Sequence, residues 1–280
     1  MSRKLLVFGA GGYLGGALYK GFSADNRFDT YGTFRHGESG EHKFVLDVLD
    51  TYKTAHMVRD LKPDIIIWSI ANKTEELSVS EIGLRSILNN IPESTRFVYV
   101  SSTISSKQNQ SEDVIPELRK PDQYLANYVN GKIVGENLVR LHPNHVIVRP
   151  GQIFGFNANN APDIRMERIL AIIERDLTFL RSDNDYISVI HIDDLADCIR
   201  GLCFSDFIGT LNVASSPPVS YYEFYKLLTK MLGLDENIIQ PYKSDDPTNA
   251  YFDLTKCSSV LRTKIRSYHE ILRNLKKAGG

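Results

Sequence analysis

The chain has 280 residues, with 33 Lys and Arg against 34 Asp and Glu and a formal net charge of -1 at pH 7. At roughly 150 residues per domain, this length predicts about two domains, or one large α/β unit with a smaller lobe. The balanced charge argues against nonspecific binding to nucleic acid or to an anionic membrane, because both need a basic surface.

Two further compositional features exclude whole classes of protein. No apolar run approaches the roughly 18 residues that span a bilayer, and the first residues reach Gly9 before a signal-peptide core can form. His142 and His145 flank a proline in a turn, so no metal site is predicted. The spacing of Cys198, Cys203 and Cys257 is typical of neither a disulfide framework nor a zinc module. The composition predicts a soluble cytoplasmic protein.

Strand-like and helix-like stretches alternate through the first half of the chain. Short apolar runs predict strands at 4–8, 30–34, 43–46, 64–68, 96–100 and 145–148. Helical patterns cover 13–22 and about 123–141. This alternation predicts the α/β class, as a Rossmann-like, doubly wound parallel sheet with helices on both faces.

After residue 155 the alternation becomes less regular. The pattern predicts helices at 166–174, 193–204 and 269–277, strands at 186–191 and 211–214, and a helix that begins at Ser220 with Glu223 completing a capping box. We therefore expect two interleaved parts. Residues 1–155 and 187–214 would form a Rossmann-like core that contains the parallel sheet, and residues 156–186 and 215–280 a smaller α/β lobe.

A glycine-rich turn lies between the first predicted strand and the first predicted helix. Gly9, Gly12 and Gly15 are spaced G-x-x-G-x-x-G, with Tyr13 and Leu14 inside the motif. A pyrophosphate needs close backbone approach and the amides of a helix N-terminus, which this order of strand, turn and helix supplies. A plain tight turn is the alternative. The five residues are predicted cofactor-binding residues.

The end of the second predicted strand indicates which dinucleotide binds. An acidic residue there would bind the 2′-hydroxyl of NAD, but the sequence reads Thr33-Phe34-Arg35-His36. The planar guanidinium of Arg35 can clamp a 2′-phosphate, which favours NADP and leaves NAD possible. An ordinary surface arginine is the alternative.

Tyr128 and Lys132 are four residues apart on a predicted helix and share one face. A lysine ammonium beside a phenol stabilises the phenolate, so the tyrosine becomes a usable proton donor. The spacing recurs at Tyr222 and Lys226. The first pair follows the predicted strand at 96–100 and lies towards the carboxyl edge of the sheet, where ligands bind; the second is better explained by a packed amphipathic helix.

Six segments in order carry a family resemblance. They read VFGAGGYLG, FVYVSS before a YxxxK pair, IVRPGQIFG, VIHIDDLADCI, GTLNVASSPPVSYYEF and DLTKCSSVLRTKIRSYHEIL. Together they cover nearly the whole chain. The sequence resembles an extended short-chain dehydrogenase/reductase, most like the dTDP-4-dehydrorhamnose reductase type of nucleotide-sugar reductase.

The resemblance implies roles for the residues near the YxxxK pair. Tyr128 would donate a proton to the reduced carbonyl oxygen, and Lys132 would stabilise its phenolate and bind the nicotinamide ribose. Ser102 would hydrogen-bond the substrate oxygen, with Thr103 as the alternative at that position. Further cofactor contacts would come from strand ends, at Asp47, Val48, Ala71, Ser101, Arg149 and Gly151.

One further motif belongs to the resemblance, and two features depart from the family pattern. His191 and Asp193 belong to a motif that is better explained by structure than by chemistry. The family's proton-relay asparagine has no clear counterpart, because neither Asn89 nor Asn90 aligns with it. The segment after Ser102 reads Ile104-Ser105-Ser106-Lys107 instead of the usual aromatic-glycine close, which leaves the sugar unspecified.

The leading hypothesis is an enzyme, an NADPH-dependent reductase of a keto group on a nucleotide-linked sugar, and a homodimer is the expected assembly. A nucleotide-sugar epimerase of the same superfamily is one alternative. Dehydration is disfavoured because Thr103 and Ile104 occupy the positions of the required carboxylates. A noncatalytic dinucleotide-sensing regulator is the other alternative, although the Tyr128–Lys132 pair is retained.

Overall fold

The computed structural model describes residues 2–103, 108–175 and 177–278, with side chains through Asn274. It divides into two compact units. Unit 1 comprises the described parts of Met1–Ile104, Ile115–Arg149 and Ala196–Leu211. Unit 2 comprises the described parts of Ser105–Val114, Pro150–Leu195 and Asn212–Gly280.

A seven-stranded sheet organises unit 1, with the order β11-β6-β5-β4-β1-β2-β3. Its strands are β1 (Arg3–Phe8), β2 (Phe28–Phe34), β3 (Lys43–Val45), β4 (Ile65–Trp68), β5 (Arg96–Val100), β6 (His145–Pro150) and β11 (Gly209–Val213). The pairings from β3 through β6 are parallel. Along the chain, β1, β2 and β3 are added towards one edge of the sheet, and β4, β5 and β6 are then added towards the other edge. The strand order therefore reverses between β1 and β4. In open α/β sheets, ligands bind at the carboxyl ends of strands beside such a reversal.

Helices connect these strands. They are α1 (Tyr13–Ser23), α2 (Thr51–Leu61), α3 (Glu76–Ser78), α4 (Arg85–Leu88), α5 (Ala126–Val139) and α7 (Ile192–Phe204). A π-helical turn over Val79–Leu84 joins α3 to α4. Parallel strands buried on both faces are continuously apolar, and Leu5, Leu6, Val7 and Phe8 of β1 accordingly have no exposed surface.

Unit 2 contains short strands and a separate apolar core. The strands are β7 (Gln152–Phe154), β8 (Phe179–Ser182), β9 (Tyr186–Ile187), β10 (Val189–His191), β12 (Val219–Ser220) and β13 (Ile239–Tyr242). The helices are α6 (Ile164–Ile173), α8 (Tyr221–Met231), α9 (Thr255–Val260) and α10 (Tyr268–Ala278). The predicted capping box is confirmed, because Ser220 and Glu223 exchange side-chain and backbone hydrogen bonds at the start of α8. Phe154, Phe224 and Leu228 lie fully buried in the core of this unit.

The structure confirms the predicted fold class and sets different unit boundaries from the predicted ones. Segments 108–114, 150–155, 187–195 and 212–214, expected in the core that contains the parallel sheet, fall in unit 2. The reason is local pairing: β7 pairs with β10 in a sheet of its own, and a side chain at Gly151 would overlap the backbone of Ser188. In the described part of the chain, no helix is both long and apolar enough to cross a membrane.

Candidate functional site

The glycine-rich turn connects β1 to α1 with the geometry that an anion needs. Gly9 has φ +81°, which favours glycine, and its carbonyl accepts a hydrogen bond from the amide of Gly12 at 2.9 Å. A side chain at Gly15 would overlap the Gly9 carbonyl, so this position must also be small. Gly12 caps α1 without a side-chain hydrogen bond, and the first turn holds no acidic residue. The positive end of α1 is therefore left for a negatively charged ligand.

A cavity of about 750 Å³ lies along this turn and the carboxyl ends of β2, β3 and β4. Six predicted cofactor residues line it, namely Gly9, Gly12, Arg35, Asp47, Val48 and Ala71. Sequence reasoning did not include several others, among them His36, Asn72, Lys73 and Glu75. The polar run directly after β4 was the available signal for the last three, because loops after strands line such clefts.

Arg35 lies at the rim of this cavity between two carboxylates. Its Nη2 is 3.5 Å from Glu75 Oε2 and 3.8 Å from Asp47 Oδ2. All three side chains are roughly half exposed, so the ion pairs are weak and the guanidinium remains able to bind a ligand phosphate.

Lys132 is buried, with its ammonium group at the carboxyl ends of β4 and β5. Nζ donates hydrogen bonds to the carbonyls of Ile70 at 2.8 Å and Val100 at 3.2 Å. It also lies 2.9 Å from Oε1 of Glu76, which is fully buried. Three protein partners thus surround the three donors of the ammonium. The Tyr128 ring centroid lies 5.8 Å from Nζ.

The predicted substrate-oxygen residues follow β5 directly. Val100, whose carbonyl accepts from Lys132, is two residues before Ser102, and both Ser102 and Thr103 are half-buried. The backbone therefore brings the predicted oxygen-binding segment close to the predicted Tyr-Lys pair. Residues 104–107, where the departure from the family pattern was noted, lie outside the described residues.

A second buried carboxylate, Glu136, connects α5 to the strands beside it. It accepts hydrogen bonds from Ser101 Oγ at 2.7 Å and from Arg149 Nε and Nη2 at 2.9 and 2.7 Å. Arg140 Nη2 donates to the same carboxylate at 2.7 Å. Burial is the largest single effect and raises the pKa of Glu136, but the hydrogen bonds and charge of Arg149, together with the Ser101 hydrogen bond and the charge of Arg140, outweigh burial and hold the pKa below its usual value. Ser101 and Arg149, predicted as cofactor contacts, thus both bond to Glu136.

The remaining predicted residues lie apart from the cavity along the glycine turn. Leu14 and Gly15 are buried in α1, and Tyr13 is its first residue. The Asn90 side chain donates a hydrogen bond to the carbonyl of Ser86 in the preceding turn.

The second Tyr-Lys pair has different surroundings. Lys226 Nζ is 5.2 Å from the Tyr222 ring centroid, and it forms an ion pair with Glu236 at 3.5 Å while 28% of its side chain remains exposed. Tyr222 packs against the core of unit 2. The expectation that this pair belongs to a packed amphipathic helix fits these contacts.

The His191 motif makes structural contacts within unit 2. Arg266 Nε donates to Asp194 at 2.8 Å, and Arg266 Nη2 lies 3.0 Å from His191 Nδ1. Burial lowers the pKa of His191, which favours the neutral ring. These bonds attach the segment before α10 to the start of α7.

The parallel sheet with a glycine turn, a cavity at the reversal of its strand order and a YxxxK helix define the class of fold, which is a Rossmann-type α/β fold. The chain is 27% identical over 156 residues to dTDP-4-dehydro-6-deoxy-D-allose reductase of Streptomyces bikiniensis. That match covers 52% of this chain and 48% of the relative, so the chain matches about half the length of this curated protein. No family model matches the chain.

Solved structures extend the likeness over the whole chain. The dTDP-4-dehydrorhamnose reductase of Bacillus anthracis in complex with NADP superposes with a TM-score of 0.77 at 20% identity, covering 99% of both chains. The UDP-N-acetylglucosamine 4-epimerase of Bacillus cereus superposes with a TM-score of 0.74 at 17% identity, also covering 99% of both chains. These comparisons confirm the resemblance to the dTDP-4-dehydrorhamnose reductase type, while the shared fold does not separate reductases from epimerases.

Proposed function

We propose that this chain is an NADPH-dependent reductase that converts a keto group on a nucleotide-linked sugar into an alcohol. The observation that carries the proposal is the buried Lys132 ammonium beside Tyr128, at the same carboxyl edge of the sheet as the glycine-turn cavity. A regulator that only sensed a dinucleotide would need the cavity but not a buried charge beside a phenol.

The residues of the cavity fit a pyrophosphate-containing dinucleotide. Gly9 and Gly12 leave room for close backbone approach, and the N-terminus of α1 lacks any side-chain cap. Asp47 and Val48 would lie at the adenine end, with Arg35 at the 2′-phosphate. When bound, NADPH supplies the hydride.

The protein's own contribution to the step is proton transfer and orientation. The carbonyl carbon gains a hydride, and the carbonyl oxygen takes a proton from the Tyr128 hydroxyl, so the products are the alcohol and NADP⁺. The Lys132 ammonium stabilises the phenolate left on Tyr128. Ser102, or Thr103 beside it, would hydrogen-bond the oxygen as negative charge develops there.

A substrate screen tests the proposal. Purified protein is incubated with NADPH and a set of nucleotide-linked 4-keto sugars, and the nicotinamide absorbance is followed. We expect consumption of NADPH with at least one sugar and formation of one alcohol per NADPH consumed. Inversion at a sugar carbon with no net consumption would identify an epimerase instead, and cofactor binding without turnover of any sugar would favour the noncatalytic alternative. The homodimer stays a prediction that the same preparation can test by mass measurement.

Replacing Arg35 with alanine tests the cofactor preference. We expect the Kd for NADPH to rise by about tenfold or more, because a charge-assisted contact to the 2′-phosphate is lost, while the Kd for NADH changes by less than about threefold. Fluorescence titration of both cofactors measures the two changes. The matched control is Arg59→Ala, an exposed arginine in the last turn of α2. An equal rise in the Kd values for NADPH and NADH would refute the role given to Arg35.

A further inference from the structure

The buried ion pair between Lys132 and Glu76 was not expected from the sequence. The Lys132 side chain is 1% exposed and the Glu76 side chain is 0% exposed, with 2.9 Å between Nζ and Oε1. The other partners of the ammonium are two backbone carbonyls. Carbonyl dipoles carry no net charge, so Glu76 supplies the full negative charge that lies against this buried ammonium.

One backbone hydrogen bond holds the Glu76 carboxylate, and close packing of two helices holds the Glu76 backbone. Its other oxygen, Oε2, accepts a hydrogen bond from the backbone amide of Asn72 at 2.6 Å, in the loop after β4. On the helix side, any side chain at Gly131 would overlap the backbone of Glu76, so α5 approaches α3 closely next to Lys132. Both charges are therefore held on ordered backbone, and the pair loses little conformational freedom when it forms.

Burial and the ion pair have opposite effects on the protonation of Lys132. Burial is the largest single effect and lowers the pKa of Lys132, but the charge and hydrogen bond of Glu76, together with smaller contributions from Tyr99 and Tyr128, outweigh it and raise the pKa of Lys132 above its usual value. Two other titratable groups face the ammonium. Tyr99 lies on β5 with its ring centroid 5.2 Å from Nζ, and burial raises the pKa of Tyr99, so it stays a neutral phenol. Tyr128 faces it from α5 itself.

We propose that Glu76 is a positioning residue whose carboxylate keeps Lys132 in the ammonium form beside Tyr128. The catalytic consequence rests on the proposed function, because only an ammonium can stabilise a phenolate formed at Tyr128 during reduction. The consequence for Lys132 itself does not depend on any activity. The Tyr222–Lys226 pair provides a contrast within the chain, since the Lys226 side chain is 28% exposed and its carboxylate partner Glu236 is 27% exposed.

The first experiment measures unfolding in urea against pH. In Glu76→Gln the buried lysine loses its counter-ion, so its pKa in the folded state drops below that in the unfolded chain. The unfolded state then binds more protons between these two values, and stability rises with pH. We expect the urea midpoint of Glu76→Gln to increase from about pH 7 to about pH 9.5, relative to the wild type over the same interval. In the wild type the pKa of Lys132 is higher in the folded protein than in the unfolded chain. Lys132 therefore causes no rise of stability with pH below its pKa in the unfolded chain.

Two further variants separate charge from packing. Glu81→Gln makes the same chemical change at an exposed residue of the adjoining π-helical turn, and it should follow the wild type. The double variant Glu76→Gln/Lys132→Met removes both charges and should lose the pH-dependent rise. If Glu76→Gln fails to fold and the double variant folds, the charge interpretation holds. If both fail to fold, or if Glu76→Gln follows the wild type at every pH, the proposal is overturned.

The second experiment measures kcat for sugar reduction against pH. We expect the ratio of kcat in Glu76→Gln to that in the wild type to fall by about tenfold between about pH 6.5 and about pH 9, as Lys132 loses its proton. A pH-independent loss would indicate a merely structural role and contradict the proposal. If the wild-type protein reduces no sugar, the proposed function fails, while the urea experiment still decides the role of Glu76.

Discussion

Replacement of Tyr128 by phenylalanine is expected to lower kcat for sugar reduction by about 10³-fold, because the phenol hydroxyl is the proposed proton donor. The Kd for NADPH should change by less than about twofold, since the cavity that would hold the adenine and pyrophosphate is lined by other residues. Steady-state kinetics with the sugar identified in the screen, together with fluorescence titration of NADPH, measures both quantities.

The chain supplies its own control for this experiment. Tyr222→Phe removes the same hydroxyl from the second Tyr-Lys pair, where the tyrosine packs against the core of unit 2. This variant should keep the wild-type kcat. Turnover that is unchanged in Tyr128→Phe would remove Tyr128 from the catalytic assignment, whatever the effect at Tyr222.

Replacement of Glu136 by alanine should reduce the free energy of unfolding by about 3 to 5 kcal/mol, because the buried Arg149 guanidinium would lose the carboxylate to which Nε and Nη2 donate. Arg149 is only 4% exposed, and two of its guanidinium nitrogens donate to this one carboxylate. The Ser101 hydroxyl at the end of β5 would lose its acceptor as well. Urea unfolding of the wild type and the variant at pH 7 measures the difference.

A control and a pH series sharpen the Glu136 experiment. Arg140→Ala removes a partner that is 38% exposed, so it should cost about 1 kcal/mol or less. Folding lowers the pKa of Glu136. Its contribution to the free energy of unfolding is therefore fully present above its pKa in the unfolded chain, and it is lost as pH falls through its pKa in the folded protein. Glu136→Ala should therefore lose less stability than the wild type on acidification. An equal loss in both proteins would show that Glu136 titrates normally.

Much of the fold follows from local pattern. The apolar runs of β1, β4 and β5 are bounded by polar residues or glycine, and a parallel sheet buries them on both faces. The glycine turn and the Tyr128–Lys132 spacing could be predicted because both depend on residues close together in the chain. By contrast, α2 was missed, although its buried residues Ala55, Val58 and Leu61 recur at helical spacing and Asp50 caps its start.

The two buried carboxylates show what local pattern cannot predict. Glu76 and Glu136 would be assigned to solvent from their residue type alone, since unpaired glutamate is rarely buried. Their partners Lys132 and Arg149 lie 56 and 13 residues away along the chain, so only the assembled sheet brings the charges together. On α5 the buried residues include Lys132, Glu136 and two glycines, and the helix lacks the apolar stripe that would identify its packed faces.

The π-helical turn over Val79–Leu84 has a consequence for how related chains correspond to this one. Insertion of one residue into an α-helix produces a π turn. The inserted residue rotates the part of the helix that precedes it by about 100° about the helix axis. A relative with an uninterrupted helix here would therefore match this chain only with a one-residue gap inside the turn. An alignment that places the gap elsewhere would pair Glu76 with a residue on a different face of the helix. The residue of the relative that corresponds to the counter-ion of Lys132 would then be misidentified.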